Sequence, residues 1–142
     1  MSIDFDTLQI PKEPFFTKNH EWLTIEENLI TLGITSYVTE KIGEVLYVDL
    51  PEEGQKISIQ NAFAEIESAR HVIDLVGSFN GTILEVNSRL LEDPSIINDD
   101  NYGEGWILIA ELDNEMDLVG LLRHAEYKSY LKELSLNLDN SN

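Results

Sequence analysis

Short stretches of alternating apolar and polar residues, each ended by a turn, run through most of this 142-residue chain. Two of them flank Glu27-Asn28, another leads into the turn Pro51–Gly54, and a further pair, EIESARHVIDL, encloses Ala69-Arg70. An alternation with a period of two places every second side chain on one face of a β-strand. Turns at such short intervals bring successive strands side by side, so the pattern predicts a sandwich or barrel of short strands.

Brief helical segments interrupt the predicted strands. Thr35 is expected to cap a short helix that Gly43 ends, and the stretch SRLLEDP predicts a second one. Over residues 113–134, apolar side chains recur with helical spacing and are expected to line one face of a helix. These apolar residues are Leu118, Leu121, Leu122, Tyr127, Leu131 and Leu134.

A single folded domain is expected, since a chain of this length can bury a hydrophobic core without metal or disulfide support. We predict an N-terminal extension over residues 1–13, the domain over residues 14–134 and a disordered tail over residues 135–142. Cysteine is absent, which excludes disulfides, thiolate metal sites and cysteine nucleophiles. The acidic first residues lack a basic leader, so a cytoplasmic location is expected.

The chain is strongly acidic, with 27 Asp and Glu against 9 Lys and Arg and a formal net charge of -18. Such a surface repels phosphate backbones and anionic lipids, so neither a nucleic-acid nor a membrane partner is expected. No apolar run is long enough to cross a bilayer. The charge suits a soluble monomer that meets basic faces on its partners, although solubility alone explains it equally well.

Two long segments resemble a known family. FFTKNHEWLTIEENLITLGITSYVTEKIGEVLYVDLPEEGQKI and GTILEVNSRLLEDPSIINDDNYGEGWILIAEL are similar, in order and in spacing over about residues 15–132, to the H protein of the glycine cleavage system. The resemblance implies a mainly β fold of the lipoyl/biotinyl type, a flattened β-barrel (barrel-sandwich hybrid) with short helices and a C-terminal helix. It also implies a carrier or interaction protein without a catalytic site of its own.

The resemblance is broken at the residue that bears the family's cofactor. The family motif Glu-Ser-Val-Lys-Ala carries lipoyl on its lysine, whereas residues 67–71 here read Glu-Ser-Ala-Arg-His. The guanidinium of Arg70 stays protonated and its lone pairs are delocalised, so it is a very poor acyl acceptor. The hairpin holds no lysine, since Lys56 precedes it by a strand and Lys128 lies in the C-terminal helix. Arg70 is therefore predicted to be unmodified, and no cofactor is expected, although the family uses lipoate.

Three functions remain open from the sequence. The first is a non-lipoylated relative that binds glycine decarboxylase, aminomethyltransferase, dihydrolipoyl dehydrogenase or a lipoate-attaching enzyme, with its acidic surface assisting docking. The second is an authentic aminomethyl carrier, in which Arg70 is an engineered replacement or another residue is loaded. Neighbouring changes at His71, Ile73 and residues 76–78 favour natural divergence instead. The third, an independent enzyme or ligand-binding module, lacks a catalytic constellation.

Several polar side chains are candidates for groove or partner contacts. The resemblance places the His-Glu-Trp triplet beside the groove that shelters the loaded arm, which suggests Glu21 and, less strongly, His20. We also expect contacts from Glu67, Ser68, His71 and Asp74. Each has a plain alternative, because exposed strand carboxylates and turn histidines are usually solvated. No metal site is expected, since the acidic loop around residues 99–104 does not match the calcium-loop spacing.

Overall fold

The structure is a computed structural model that describes the backbone of residues 3–140 and the side chains of residues 3–136. Its strands are β1 (Phe15–Phe16), β2 (Glu21–Glu26), β3 (Leu29–Ile34), β4 (Val45–Asp49), β5 (Lys56–Ile57), β6 (Ala62–Ser68), β7 (Val72–Val76), β8 (Gly81–Val86) and β9 (Leu108–Leu112). Its α-helices are α1 (Ser36–Ile42), α2 (Arg89–Glu92), α3 (Ile96–Asp99) and α4 (His124–Asn140), and a 3-10 helix spans Glu115–Leu118.

The strands form two antiparallel sheets. The larger has the order β1-β2-β3-β9-β8-β5 and the smaller the order β4-β6-β7. Buried side chains from both sheets, such as Ile30, Val48, Ile66 and Ile83, meet in one core cluster. The predicted mainly β fold with short helices and a C-terminal helix is confirmed.

The helix α1 connects the two sheets and starts and stops where predicted, although not by the expected capping contact. Thr35 is the residue at its start, but its side chain makes no capping hydrogen bond. Its hydroxyl instead lies 2.7 Å from the Tyr127 hydroxyl, a partner 92 residues away that no local rule reveals. Gly43 ends the helix at a φ of 82°, a backbone conformation that favours glycine.

A second cluster joins the ends of the chain to the outside of the larger sheet. Phe16 stacks on Tyr127 of α4 with ring centroids 4.7 Å apart, and Trp22 lies in the same cluster. Trp22 packs flat over Gly33 of the paired strand, where an added Cβ would lie 2.6 Å from the indole nitrogen. Its indole N–H donates to the Asn101 carbonyl oxygen at 2.7 Å. This cluster therefore holds in place β1, β2 and the loop between them, which lead into the candidate functional site described below.

The C-terminal region is not the single helical face predicted over residues 113–134. The chain forms the 3-10 helix first and begins α4 at His124. Leu118 and Leu121 consequently pack against the main core, whereas Tyr127 and Leu131 belong to the second cluster. The gap between the two helices contains Gly120, a poor helix former, and Leu122, which forms a β-bridge with Phe16, so apolar spacing alone overlooked the break.

Both segments that flank the predicted domain have some regular structure or contacts with the domain. In the N-terminal extension, the Gln9 carbonyl oxygen accepts hydrogen bonds from Ser36 Oγ at 2.8 Å and Tyr102 Oη at 2.7 Å. At the other end, α4 continues to Asn140 and so includes much of the predicted tail, while residues 141–142 lie outside the described residues. The domain division stays a prediction. None of the described helices is long and apolar enough to cross a membrane.

Candidate functional site

The hairpin of β6 and β7 ends in a three-residue turn. Glu67 pairs with Val72, so Ser68 is the last residue of β6 and the exposed residues Ala69, Arg70 and His71 form the tip. The sequence predicted a hairpin here with a tip at Ala69-Arg70, and the structure adds His71 to the turn. The tip therefore presents two adjacent long polar side chains to solvent.

Ser68 holds this turn together from inside. Its hydroxyl donates to the His71 carbonyl oxygen at 3.0 Å and accepts from the backbone N–H groups of His71 at 3.0 Å and Arg70 at 3.3 Å. The side chain is buried, so these bonds are shielded from water. Ser68 is a turn-forming residue in this structure rather than a surface contact.

Arg70 is also fastened to the neighbouring helix. Its Nη1 donates to the Lys41 carbonyl oxygen at 3.5 Å, and Ala69 N–H donates to the Glu44 carbonyl oxygen at 3.0 Å. An added Cβ on Gly43 would lie 3.6 Å from Arg70 Nε, so the arginine stem runs beside the end of α1. The tip consequently has a defined position against α1 instead of projecting freely.

A groove of about 280 Å³ lies between α1, the edge strand β7 and the loop before β2. Apolar side chains dominate its walls, with the polar groups spaced around them. The helix contributes Tyr37, Val38, Lys41 and Ile42, the loop contributes Asn19 and His20, and the second hairpin strand with its turn contributes His71, Ile73, Asp74 and Leu75.

His20 forms one wall of this groove. Its ring lies 4.6 Å from the Tyr37 ring, and its Nδ1 lies 3.0 Å from the Tyr127 hydroxyl. Burial, with a further contribution from the nearby Lys41 charge, lowers the pKa of His20 to about 4. The imidazole is therefore neutral at physiological pH and adds no charge to the groove.

Glu21 is buried, 2% exposed, and is not among the residues that line the groove. Its Oε1 accepts hydrogen bonds from Ser78 Oγ at 2.7 Å and Thr17 Oγ1 at 3.2 Å, while Oε2 has no partner. Burial raises the pKa of Glu21 to about 7, and the two hydroxyl donors partly oppose that effect. The carboxyl group is therefore poised between its two protonation states at neutral pH.

The remaining candidates lie on the solvent face of the smaller sheet. Glu67 is exposed between Tyr47 and Val72 in one cross-strand row. The next acidic row contains Asp49, Glu65 and Asp74, and Asp74 also reaches the groove from the sheet edge. Like charges directly opposite each other destabilise a sheet, so this acidic row lowers the stability of the smaller sheet.

The structure thus places His71 and Asp74 in the groove and Arg70 in the adjoining pocket, whereas Glu21 and Glu67 line neither. Among the described residues, no three His, Cys, Asp or Glu side chains are arranged to hold a metal ion. Sequence reasoning missed Lys41, which lines the groove and the pocket beneath Arg70. Its distance of 29 residues from the tip hides it from any search within the hairpin.

Comparison with known proteins identifies relatives along nearly the whole chain. The family model described as Glycine cleavage H-protein matches residues 15–134. The glycine cleavage system H protein of Symbiobacterium thermophilum is 40% identical over 124 residues, covering 87% of this chain and 97% of the relative. That of Rubrobacter xylanophilus is 41% identical over 125 residues, covering 88% of this chain and 97% of the relative.

A solved structure shows the same fold. The crystal structure of a glycine cleavage system H protein from Mycobacterium marinum superposes with a TM-score of 0.76 at 32% sequence identity. The match covers 87% of this chain and 99% of that one. The predicted lipoyl-type barrel-sandwich fold is confirmed by this neighbour, and the N-terminal extension lies outside the family match.

Proposed function

This chain belongs to the glycine cleavage H-protein family, and we propose that it is a member that carries no lipoyl group and acts by binding partners. Proteins of this family are carriers rather than enzymes with a catalytic site of their own.

The observation that carries the proposal is the arginine at the tip of the β6–β7 hairpin. Attachment of lipoyl as an amide needs a neutral amine that can attack an activated acyl group. Arg70 supplies a protonated guanidinium, which lacks a free lone pair for that attack. The residue at the attachment position therefore does not fit the family's cofactor.

The scaffold around the tip supports a binding role. Ser68 still organises the turn, and the hydrogen bond from Ala69 N–H to the Glu44 carbonyl oxygen at 3.0 Å places the tip beside the end of α1. A protein that recognises the shape of this hairpin would therefore find it in a defined position. The candidate partners of this kind are glycine decarboxylase, aminomethyltransferase, dihydrolipoyl dehydrogenase and a lipoate-attaching enzyme. In this proposal the chain binds them as a monomer in the cytoplasm.

The charge on the smaller sheet indicates the kind of surface that such a partner would present. Asp49, Glu65 and Asp74 form an exposed acidic row that ends at the groove, next to the apolar Tyr47 and Val72. A basic partner face with an apolar centre would complement this surface and speed association at low salt.

Isothermal titration calorimetry with the four partners from the same organism tests the binding role. We expect at least one to bind, and affinity to fall at least tenfold in a variant carrying Asp49→Asn, Glu65→Gln and Asp74→Asn. A control with Glu26→Gln, Glu92→Gln and Glu133→Gln changes the net charge equally at exposed positions elsewhere. Absence of binding to all four partners would refute the proposal, as would equal losses in both variants.

One observation supports a second candidate function, that of an authentic carrier loaded on a residue other than Arg70. Lys41 is the lysine that adjoins the tip, since its carbonyl oxygen bonds Arg70 and its side chain lines the pocket beside His71. Its ammonium lies 5.4 Å from the Tyr37 ring, directed along α1 rather than out from the turn. Tryptic peptide mapping after treatment with a lipoate-attaching enzyme distinguishes this function by a lipoyl group on Lys41.

A further inference from the structure

A second cavity, of about 440 Å³, lies between the N-terminal extension and the helix α1. It shares no lining residue with the groove beside the hairpin. One wall comes from residues 3–9 of the extension, which precede the segment that matches the family model. The other walls come from α1, from α3 and from Asn101. This cavity therefore depends on a part of the chain that the family match does not include.

The extension is packed firmly enough to form a wall. Phe5 stacks on Tyr37 of α1 with ring centroids 6.3 Å apart, and Ile10 is buried in the second cluster. The Gln9 carbonyl oxygen accepts a hydrogen bond from the Ser36 hydroxyl at 2.8 Å. The extension consequently lies along α1 from its first residue onward, with the cavity between them.

Most hydrogen-bond donors that line the cavity are engaged within the fold. The hydroxyls of Ser36, Thr39 and Thr7 donate to backbone carbonyl oxygens at 2.8, 3.2 and 3.0 Å. The Asn98 side-chain amide donates to the Gly43 carbonyl oxygen at 3.0 Å. The groups left for an occupant are therefore mainly acceptors.

Asn101 supplies one acceptor that the fold leaves unpaired. Its side chain lines the cavity and the residue is 7% exposed. Its Nδ2 donates to the Ile34 carbonyl oxygen at 3.3 Å and to Thr39 Oγ1 at 3.2 Å, whereas its Oδ1 accepts no hydrogen bond from the described residues. Because an unpaired acceptor in a buried side chain is costly, this oxygen calls for a donor in the cavity.

Two carboxylates complete the set of acceptors. Asp4 lines the cavity from the extension and Glu40 lines it from α1. Among the residues with described side chains, the one ion pair joins Arg89 to Glu104, so neither carboxylate has a cationic partner within 4.0 Å. An ammonium group has three donors and no acceptor, which matches three oxygens of which two are charged. A bare Ca²⁺ ion suits the cavity less well, since it takes six or more oxygen ligands.

We propose that this cavity binds a small organic ligand through a primary ammonium group, which donates to Asp4, Glu40 and Asn101. The apolar side chains of Ile3 and Leu8 line the same cavity and would contact the body of the ligand. The volume corresponds to about fifteen waters at ~30 Å³ each, so a ligand of up to about ten non-hydrogen atoms fits. The inference does not depend on the proposed function, because the cavity does not include Arg70.

Titration of the full chain with n-butylammonium chloride tests the proposal by ¹⁵N–¹H correlation spectra, in salt of about 0.15 M to screen general attraction to an acidic chain. We expect saturable shifts at Asp4, Glu40 and the Asn101 side-chain amide. Butan-1-ol, which lacks the charge, and tetramethylammonium, which lacks N–H donors, should each bind about tenfold more weakly. Equal affinity for either compound would overturn the proposal. Shifts of the same signals by calcium chloride at a lower concentration would also overturn it, in favour of a metal site.

Matched variants separate the cavity from the overall charge. Asp4→Asn and Glu40→Gln should each weaken butylammonium binding about fivefold, as expected for exposed charge pairs. Asp6→Asn, on the same extension, and Glu53→Gln remove equal charge at exposed positions outside the cavity lining and should leave binding unchanged. Equal affinities of the cavity variants and their controls would refute the proposal.

Discussion

Arg70 Nη1 donates a hydrogen bond to the carbonyl oxygen of Lys41 across 3.5 Å, and so joins the hairpin tip to the last turn of α1. The contact is long and solvent-exposed, which makes it a positional restraint rather than a major source of stability. The position of the tip depends more on the buried bonds beneath it.

The first prediction concerns replacements of Arg70. Arg70→Lys and Arg70→Ala should change the free energy of unfolding by no more than about 0.5 kcal/mol, because the side chain is exposed and its one bond is weak. Urea unfolding followed by circular dichroism measures this. A loss above ~1 kcal/mol would show that the arginine is needed for the fold, and would remove it as a clean test of function.

The second prediction concerns Ser68, whose hydroxyl bonds three backbone groups of the turn. Ser68→Ala should lower the free energy of unfolding by about 1 kcal/mol, since the part-buried hydrogen bonds of the Arg70 and His71 amides are lost. Ser88→Ala is the control, because Ser88 is exposed and makes no capping bond. If urea unfolding shows equal effects for the two variants, the hydroxyl does not organise the tip.

The third prediction is a pH dependence caused by Glu21. Its pKa is raised to about 7 in the folded chain from 4.5, so its contribution is favourable below about pH 4.5 and is lost as the pH rises through 7. Glu21→Gln should therefore gain stability relative to the wild type between pH 4.5 and 8, by up to roughly 3 kcal/mol. Denaturant unfolding at a series of pH values measures the difference, and a constant difference would refute the prediction.

The fourth prediction has the opposite sign. His20 has its pKa lowered to about 4 from 6.5, so its neutral form favours the fold above about pH 6.5. That stability is lost as the pH falls from 6.5 through 4, because the unfolded chain binds the proton more readily. In His20→Gln, the loss of folding stability between pH 6.5 and pH 4 that His20 causes should be absent when unfolding is measured at a series of pH values. Retention of the full slope would show that other groups cause it.

Sequence patterns predicted the local elements of the site well. The alternation around Ala69-Arg70 gave the hairpin, and Gly43 ended α1 as expected, because both depend on residues close in the chain. The resemblance to the H-protein family gave the overall fold, which the structural neighbour confirms. It also directed attention to the position at which lysine is replaced.

The groove could not be predicted in the same way. Lys41 faces the tip across 29 residues, and Ser78 bonds Glu21 across 57, so neither relationship has a periodic or motif signal. Glu21 was expected to line the groove more than His20, yet in the structure His20 lines the groove and Glu21 is buried outside its lining. His20 also contacts Tyr127 of α4, 107 residues away, and local patterns do not encode such a contact.

The most direct measurement is the intact mass of the wild type and of Arg70→Lys after incubation with lipoate, ATP and a lipoate-attaching enzyme. The variant restores an amine at the tip without altering Ser68 or the contacts of the turn backbone, so it serves as the matched control. We expect a mass increase of one lipoyl group on Arg70→Lys and none on the wild type. An equal increase on the wild type would contradict the proposal that this chain carries no lipoyl group.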